Sequence, residues 1–223
     1  MSFNPPVQER GPALVWRKLE LTDADSVLHL HRLATAFIEN PSLVKPESAA
    51  YFRRILDGEG CIIGAFDGDL VAYGVLQFDH EPEDEIRGAY GIDSRIRTGR
   101  LAGASVAPRY RGNGLQRALI DARTQMAPQH MRLFSTAAPI NPASWTNLLR
   151  KSFVIHDIVA RFGGYTRYLM IHDTRTFDAH TAVVTDPLDI EQQRGLLARG
   201  YYGFSRAPIA ESGYGIVFAK AAT

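Results

Sequence analysis

The stretch Val106-Ala-Pro-Arg-Tyr-Arg-Gly-Asn-Gly-Leu-Gln116 joins a predicted strand, Leu101–Ala107, to a predicted helix over residues 114–127. Gly112 and Gly114 leave the main chain open to close approach by a ligand and allow dihedral angles that other residues avoid. The first amides of a helix lack intrahelical acceptors, and the helix dipole adds positive potential at that end. The segment therefore predicts a main-chain site for an anion such as a phosphate.

A turn that merely connects a strand to a helix is the plain alternative for a Gly-x-Gly pair. The charge of the region favours the anion site, because residues 95–123 hold seven arginines and one acid, Asp121. We therefore expect a local basic surface. The segment is not a dinucleotide-binding fingerprint, which needs a third glycine, nor a P-loop, which needs Lys-Ser or Lys-Thr after the glycines.

The composition limits the class of protein. A chain of 223 residues fits one large domain or one domain with an elaboration. The single cysteine, Cys61, excludes an intrachain disulfide and a multi-cysteine zinc site, and its apolar strand predicts a buried position. A formal charge of +1 argues against a general nucleic-acid binder. No apolar run is long enough for a membrane span or a signal peptide, so we expect a cytoplasmic protein without metal.

Helical and strand patterns alternate along the chain, after a proline-rich segment, residues 1–12, that predicts a flexible arm. Thr22 is the predicted N-cap of the first helix, Asn141 that of the fourth, with Pro142 as its first residue, and Asp186 that of the last, which ends at Gly200. Asp67-Gly68-Asp69 predicts the turn of a β-hairpin. The predicted helices are 23–37, one from Pro46 to Gly58, 114–127, one from Asn141 and one up to Arg199; the predicted strands are 13–16, 61–66, 70–78, 101–107, 131–135, 153–162, 165–172, 181–185, 201–206 and 213–219. We expect a fold of the α/β (α+β mixed) class.

Two motifs in this order resemble the GCN5-related N-acetyltransferases, the GNAT family. The family motif Gln/Arg-x-x-Gly-x-Gly/Ala is similar to Arg109-x-x-Gly112-x-Gly114, which follows Val106-x-Pro108. A second signature, Asn-x-x-Ala/Ser before Gly-Phe, is similar to Asn141-x-x-Ser144 before Ser152-Phe153. The resemblance covers residues 13–172 and implies a mostly antiparallel mixed sheet flanked by helices. Residues 173–223 lie outside it, as a β-α-β-β extension packed on the domain or at a dimer contact.

The resemblance implies acetyl-CoA as cosubstrate. The main chain of the turn would hold the pyrophosphate, the strand end would pair with the pantetheine arm, and one of its amides would polarise the thioester carbonyl. Nearby arginines would meet the 3′-phosphate. The expected cofactor-binding residues are Ser105, Val106, Ala107, Arg109, Arg111, Gly112, Asn113, Gly114, Leu115, Gln116, Asn141 and Ser144.

The catalytic acid and base remain unassigned. Many relatives carry a tyrosine seven residues after the helix-cap asparagine, where this chain has Leu148. Tyr165, Tyr168 or water would then supply the proton. The strand before the motif lacks a carboxylate, so the base would come from the acidic run 79–85, with Glu81 as candidate; a solvated acidic surface is the alternative.

The sequence thus predicts an N-acetyltransferase that passes acetyl from acetyl-CoA directly to a small amine in a ternary complex. A catalytically silent acyl-CoA binding or sensing module is the alternative, favoured by Leu148. Aminoacyl transfer from tRNA is a third option, but the chain lacks the extended basic surface that such a partner needs. We expect no nucleic-acid or membrane partner and keep a homodimer open.

Overall fold

The protein is described by a computed structural model that covers residues 13–36, 38–40, 43–44, 46–78, 86–209 and 213–222. The predicted arm 1–12 and the acidic run 79–85, with Glu81, lie outside these residues. The chain forms two compact units, residues 1–133 and residues 134–223.

The described residues contain ten strands and five α-helices. The strands are β1 (Val15–Lys18), β2 (Gly60–Asp67), β3 (Asp69–Gln77), β4 (Thr98–Val106), β5 (Arg132–Ala137), β6 (Phe153–Arg161), β7 (Tyr165–His172), β8 (Val183–Thr185), β9 (Tyr201–Ile209) and β10 (Gly213–Lys220). The helices are α1 (Ala24–Thr35), α2 (Ala49–Arg54), α3 (Leu115–Met126), α4 (Pro142–Leu149) and α5 (Ile190–Ala198).

In the first unit, strands β1 to β4 pair in chain order, and each pair is antiparallel. The predicted hairpin of β2 and β3 is confirmed, with Gly68 at φ +71° between the two strands. Apolar side chains of α1, α2 and α3 form one core with this sheet, in which Phe52, Ile62 and Leu119 are fully buried. Burial of this apolar surface is the main source of the unit's stability.

The start of α1 differs from the prediction. A short 3₁₀ turn, Leu21–Asp23, precedes the helix, and Asp23 rather than Thr22 is its N-cap. The Asp23 carboxylate accepts a hydrogen bond from the Glu20 amide at 2.8 Å and pairs with Arg17 at 2.7 Å. The prediction for Thr22 was wrong because Thr22 lies inside the 3₁₀ turn, and the α-helix begins only at Ala24.

Strand β4 contains a β-bulge that directs its last residues. Ala104 lies opposite Gly74, whereas Leu101 lies opposite Leu76, so Ala102 and Gly103 together face the single residue Val75. A bulge of this kind bends its strand and increases the local twist. It therefore sets the direction in which β4 leaves the sheet.

In the second unit the strand order is β5-β7-β6-β9-β10-β8, again with antiparallel pairs. Strand β9 meets β6 where Ile155 lies opposite Gly203. A Cβ at Gly203 would come within 2.9 Å of Ile155 Cδ1, so glycine permits this close approach. The residues after Asp173 thus extend the sheet as the predicted β8-α5-β9-β10 unit.

The last helix begins later than predicted. Asp189 caps α5, accepting from the Gln192 amide at 3.0 Å, and Asp186 instead accepts from the Leu188 amide at 2.8 Å. Asp186 was the wrong cap because the proline after it opens a turn rather than the helix. Gly200 ends the helix at φ +80°, as expected of a glycine in that position. The mixed α/β class with a mostly antiparallel sheet flanked by helices is confirmed.

Candidate functional site

The turn between β4 and α3 is built from a short 3₁₀ segment and two glycines. Pro108–Tyr110 forms the 3₁₀ segment, in which the Tyr110 amide donates to the Ala107 carbonyl at 2.9 Å. Gly112 and Gly114 follow at φ +83° and +76°, and Gly114 is the N-cap of α3. Side chains other than glycine are strained at such angles, so both glycines are needed for the chain to enter the helix here.

The turn leaves open space above its main chain. A Cβ placed on Gly112 would meet no described atom within 4 Å. Helix α3 begins at Leu115, and the amides of a helix's first turn have no carbonyl four residues earlier within the helix. Main-chain amides, a positive helix end and an open approach together suit a bound phosphate group.

Side-chain hydrogen bonds stabilise the turn. The Tyr110 hydroxyl donates to Asp67 Oδ2 at 2.5 Å, which ties the turn to the β2–β3 hairpin. The Asn113 side-chain amide donates to the Tyr110 carbonyl at 3.3 Å. Arg111 Nη2 donates to the Ala34 carbonyl at 2.8 Å, near the end of α1. The roles of Asp67 and Ala34 were missed by sequence reasoning, since nothing local links positions so far apart.

Only some of the seven arginines of residues 95–123 can contribute to the expected local basic surface. Arg100 and Arg123 are buried, and Arg95 pairs with Asp93 at 2.6 Å. The arginines beside the turn are Arg109, stacked 4.9 Å from the Tyr110 ring centroid, Arg111, and Arg117, whose Nη2 lies 3.2 Å from a Cβ built on Gly114. Arg97 is exposed and lies 5.8 Å from the Phe78 ring centroid, so three of the seven arginines lie beside the turn.

The end of β4 presents one outward-facing peptide. The Ala107 amide donates to the Val71 carbonyl at 2.8 Å, and Ser105 lies opposite Tyr73. Neighbouring residues of an antiparallel strand direct their amides and carbonyls to opposite edges. Ser105 and Ala107 therefore face β3, and Val106 directs its amide to the other edge of β4. Ser105 Oγ is 3.3 Å from the Tyr73 hydroxyl, so its side chain also faces the interior.

The second signature lies in the second unit, at the start of α4. The Asn141 side-chain oxygen accepts from the Ser144 amide at 3.1 Å, and Pro142 is the first helical residue, as predicted. The indole of Trp145 is buried and donates to the Pro139 carbonyl at 3.1 Å. These contacts give Asn141 a defined position as a helix cap.

The candidate acids in the same unit differ in exposure. Tyr165 lies at the start of β7 with 36% of its surface exposed, beside the glycine turn 163–164. Tyr168 is fully buried, and its hydroxyl donates to the Pro187 carbonyl at 2.7 Å. Burial raises the pKa of Tyr168, so the hydroxyl stays protonated and bonded to that carbonyl.

Cys61 lies inside the first unit, as expected. Its side chain is buried on β2, and burial raises the pKa of the thiol. A thiol that is protonated and shielded is a poor nucleophile.

A family model described as the acetyltransferase (GNAT) family matches residues 25–150, which is more than half of the chain and includes the turn, the bulge and the Asn141 cap. The chain belongs to the GNAT family. The membership of this family that the two motifs predicted is confirmed.

Solved structures agree on the fold of this GNAT protein. A GNAT acetyltransferase from Streptococcus pneumoniae is 18% identical with a TM-score of 0.52, covering 71% of this chain and 98% of that one. The ribosomal-protein-S5-alanine acetyltransferase from Vibrio fischeri is 15% identical with a TM-score of 0.55, covering 75% and 97%. Arabidopsis thaliana NAA60 in complex with acetyl-CoA is 16% identical with a TM-score of 0.52, covering 71% and 97%. No curated protein matches the chain by sequence.

Two features of this GNAT protein bear on its chemistry. Leu148, at the position of the family tyrosine, is buried and apolar, so it supplies no proton. Within the described part of the chain, no three histidine, cysteine or carboxylate side chains gather as a metal site.

None of the helices described is long and apolar enough to cross a bilayer.

Proposed function

We propose that this GNAT protein transfers acetyl from acetyl-CoA to a small amine. The observation that carries the proposal is the open turn above Gly112, where main-chain amides and the positive end of α3 meet. A pyrophosphate bound there would accept charge-assisted hydrogen bonds from main-chain amides of the turn. NAA60, which shares the fold, was crystallised with acetyl-CoA, and this supports the choice of cosubstrate.

The outward peptide at Val106 supplies the second contact. From the pyrophosphate at the turn, the pantetheine arm would run along the end of β4, with the Val106 amide, which faces away from β3, donating to the thioester carbonyl. Such a donor stabilises the negative charge that develops on the carbonyl oxygen. Arg111 Nε lies 3.4 Å from the Val106 carbonyl, which belongs to the next peptide of the strand.

Transfer would proceed without an acyl-enzyme, because the only thiol of the chain is buried. The amine nitrogen attacks the carbonyl carbon, a C–N bond forms, and the C–S bond breaks to release a thiolate. The proton of the new ammonium group passes to water or to the thiolate. Tyr165 is the more exposed candidate acid, whereas the buried Tyr168 hydroxyl donates to the Pro187 carbonyl, and Glu81 remains the candidate base.

Asn141 and Ser144 would contact the cosubstrate from α4, as the family resemblance implies. The cap contact leaves the second lone pair of the Asn141 side-chain oxygen and its amide hydrogens for that purpose. Arg109 and Arg117, beside the turn, are our candidates for the 3′-phosphate.

Calorimetry of CoA binding tests the site. Gly112→Leu places a side chain in the open approach and is expected to abolish the binding heat. Gly200→Leu is the matched control, since Gly200 has a similar φ of +80° and open surroundings, but lies at the end of α5. Both substitutions carry the same backbone strain of about 1–2 kcal/mol. Wild-type binding by Gly112→Leu would refute the site.

A silent acyl-CoA sensor is the second candidate, because Leu148 is buried where relatives carry a tyrosine. Release of free CoA thiol with a panel of small amines separates the two functions. An acetyltransferase releases CoA in an amine-dependent manner. A sensor binds acetyl-CoA and releases none.

A further inference from the structure

We propose that Arg123 is a positioning residue for acetyl transfer. Its side chain extends from α3 and fixes the β4 bulge, and the bulge positions the Val106 amide that would bind the thioester oxygen. The proposal rests on the proposed function. It assigns a role to a residue that neither motif contains and that the anion site does not use.

The guanidinium of Arg123 bonds two carbonyls of the bulge, one on each strand. Nη1 donates to the Val75 carbonyl on β3 at 3.2 Å and to the Ala102 carbonyl on β4 at 3.2 Å. Nε donates to the Leu119 carbonyl at 3.0 Å, one turn earlier in α3, which fixes the side chain. A bulge interrupts the regular ladder between strands, so carbonyls beside it need other donors. Arg123 supplies them.

The burial of Arg123 shows that its hydrogen bonds matter. The side chain is 3% exposed, and burial lowers the pKa of the guanidinium to about 10, so it remains charged at neutral pH. Burying a cation is costly, and an apolar residue of similar volume would fill the same space between helix and sheet. The presence of an arginine at position 123 is therefore explained by its hydrogen bonds to main-chain carbonyls and not by its volume.

Gly74 makes room for this contact. A Cβ at Gly74 would lie 2.8 Å from Arg123 Nε and 3.1 Å from Cδ, closer than packed atoms allow. Gly74 lies opposite Ala104, the first paired residue after the bulge. The missing side chain on β3 thus opens a path for the guanidinium at the position where β4 changes direction.

The arrangement connects both ends of the proposed cosubstrate site to one helix. The first turn of α3 forms the pyrophosphate site, and Arg123, two turns later, holds the bulge that directs Ser105–Ala107. A small shift of the Val106 amide would weaken its bond to the thioester oxygen without changing the glycine turn. Loss of Arg123 should therefore affect transfer more than CoA binding.

Arg123→Met tests the proposal, with Arg100→Met as matched control. Arg100 is also a buried arginine, but it lies on β4 and donates to the Gln77 side chain at 2.9 Å, outside the bulge. We expect Arg123→Met to lower kcat at least tenfold while the Kd for CoA changes less than threefold. Arg100→Met should lower the melting temperature and leave kcat unchanged. Equal kcat in wild type and folded Arg123→Met would overturn the proposal.

The infrared band of ¹³C-labelled acetyl-CoA gives a readout that does not need turnover. We expect the bound thioester carbonyl band to shift to lower wavenumber in wild type and in Arg100→Met, and to lose that shift in Arg123→Met. Gly74→Ala adds a Cβ that displaces the guanidinium, so this variant should lose the shift too. It provides the test if Arg123→Met does not fold. A shift without amine-dependent turnover in wild type would refute acetyl transfer but not the role of Arg123. Retention of the shift in Gly74→Ala and Arg123→Met would refute that role.

Discussion

Nδ1 of His31 lies 2.9 Å from the hydroxyl oxygen of Tyr73, in the interior of the first unit. The other ring nitrogen, Nε2, accepts a hydrogen bond from the Glu47 amide at 3.1 Å. An amide can only donate, so Nε2 carries no proton and the neutral ring is protonated on Nδ1. His31 therefore donates to Tyr73, which in turn lies 3.3 Å from Ser105 Oγ at the end of β4.

This tautomer predicts a pH-dependent stability. Burial, and next the charge of Arg32, lowers the pKa of His31. The unfolded chain therefore binds more protons, and the free energy of unfolding should be highest above the unfolded pKa of about 6.5 and fall as the pH drops below it. Urea unfolding between about pH 5 and about pH 8 measures this slope.

His31→Asn should flatten the slope, because the asparagine amide still donates to Tyr73 but does not titrate. His29→Asn is the control, since His29 is exposed on the same helix. If wild type and His31→Asn lose stability in parallel as the pH falls, protonation of His31 does not contribute to the loss.

Cys61 should be unreactive in the native protein. Its thiol is buried and its pKa is raised, so little thiolate is present or accessible. Titration with a thiol reagent at pH ~8 should detect almost no thiol in the native state and one per chain in denaturant. Rapid native labelling would contradict the burial and would make Cys61 a candidate nucleophile for an acyl-enzyme. The same result decides whether CoA release can be followed with such a reagent.

Tyr168→Phe should destabilise the second unit. The change removes the buried hydrogen bond of 2.7 Å to the Pro187 carbonyl and leaves that carbonyl without its donor. We expect a loss of about 1–3 kcal/mol in the free energy of unfolding. Tyr165→Phe, on the same strand but exposed, should change it by less than about 0.5 kcal/mol. Equal effects of the two substitutions would show that the Tyr168 bond contributes nothing.

Local sequence predicted much of the architecture. The hairpin at Gly68, the Asn141 cap with Pro142 after it, and the end of α5 at Gly200 were all predicted and all observed. Each depends on residues within a few positions of one another, where steric and hydrogen-bonding preferences are decided. The caps predicted at Thr22 and Asp186 were wrong because a short turn lies between each of these residues and the start of its helix.

In the candidate site, too, local features could be predicted from the sequence and long-range features could not. The glycine turn with its flanking strand and helix could be predicted, since a positive φ and a free helix end are local properties. The outward peptide at Val106 could not, because its direction depends on the register of β4 against β3 and on the bulge at Ala102. That register is set by packing across the sheet.

The sequence alone determined that a strand enters a helix through Gly112 and Gly114, and thereby that an anion can approach the main chain there. Only the tertiary structure decided what each arginine does. Arg111 reaches the end of α1, Arg95 pairs with an aspartate, and Arg123 is buried on the carbonyls of β3 and β4. The reason is physical: a backbone angle follows from the residue itself, whereas the role of a long charged side chain depends on which groups the fold brings within its reach.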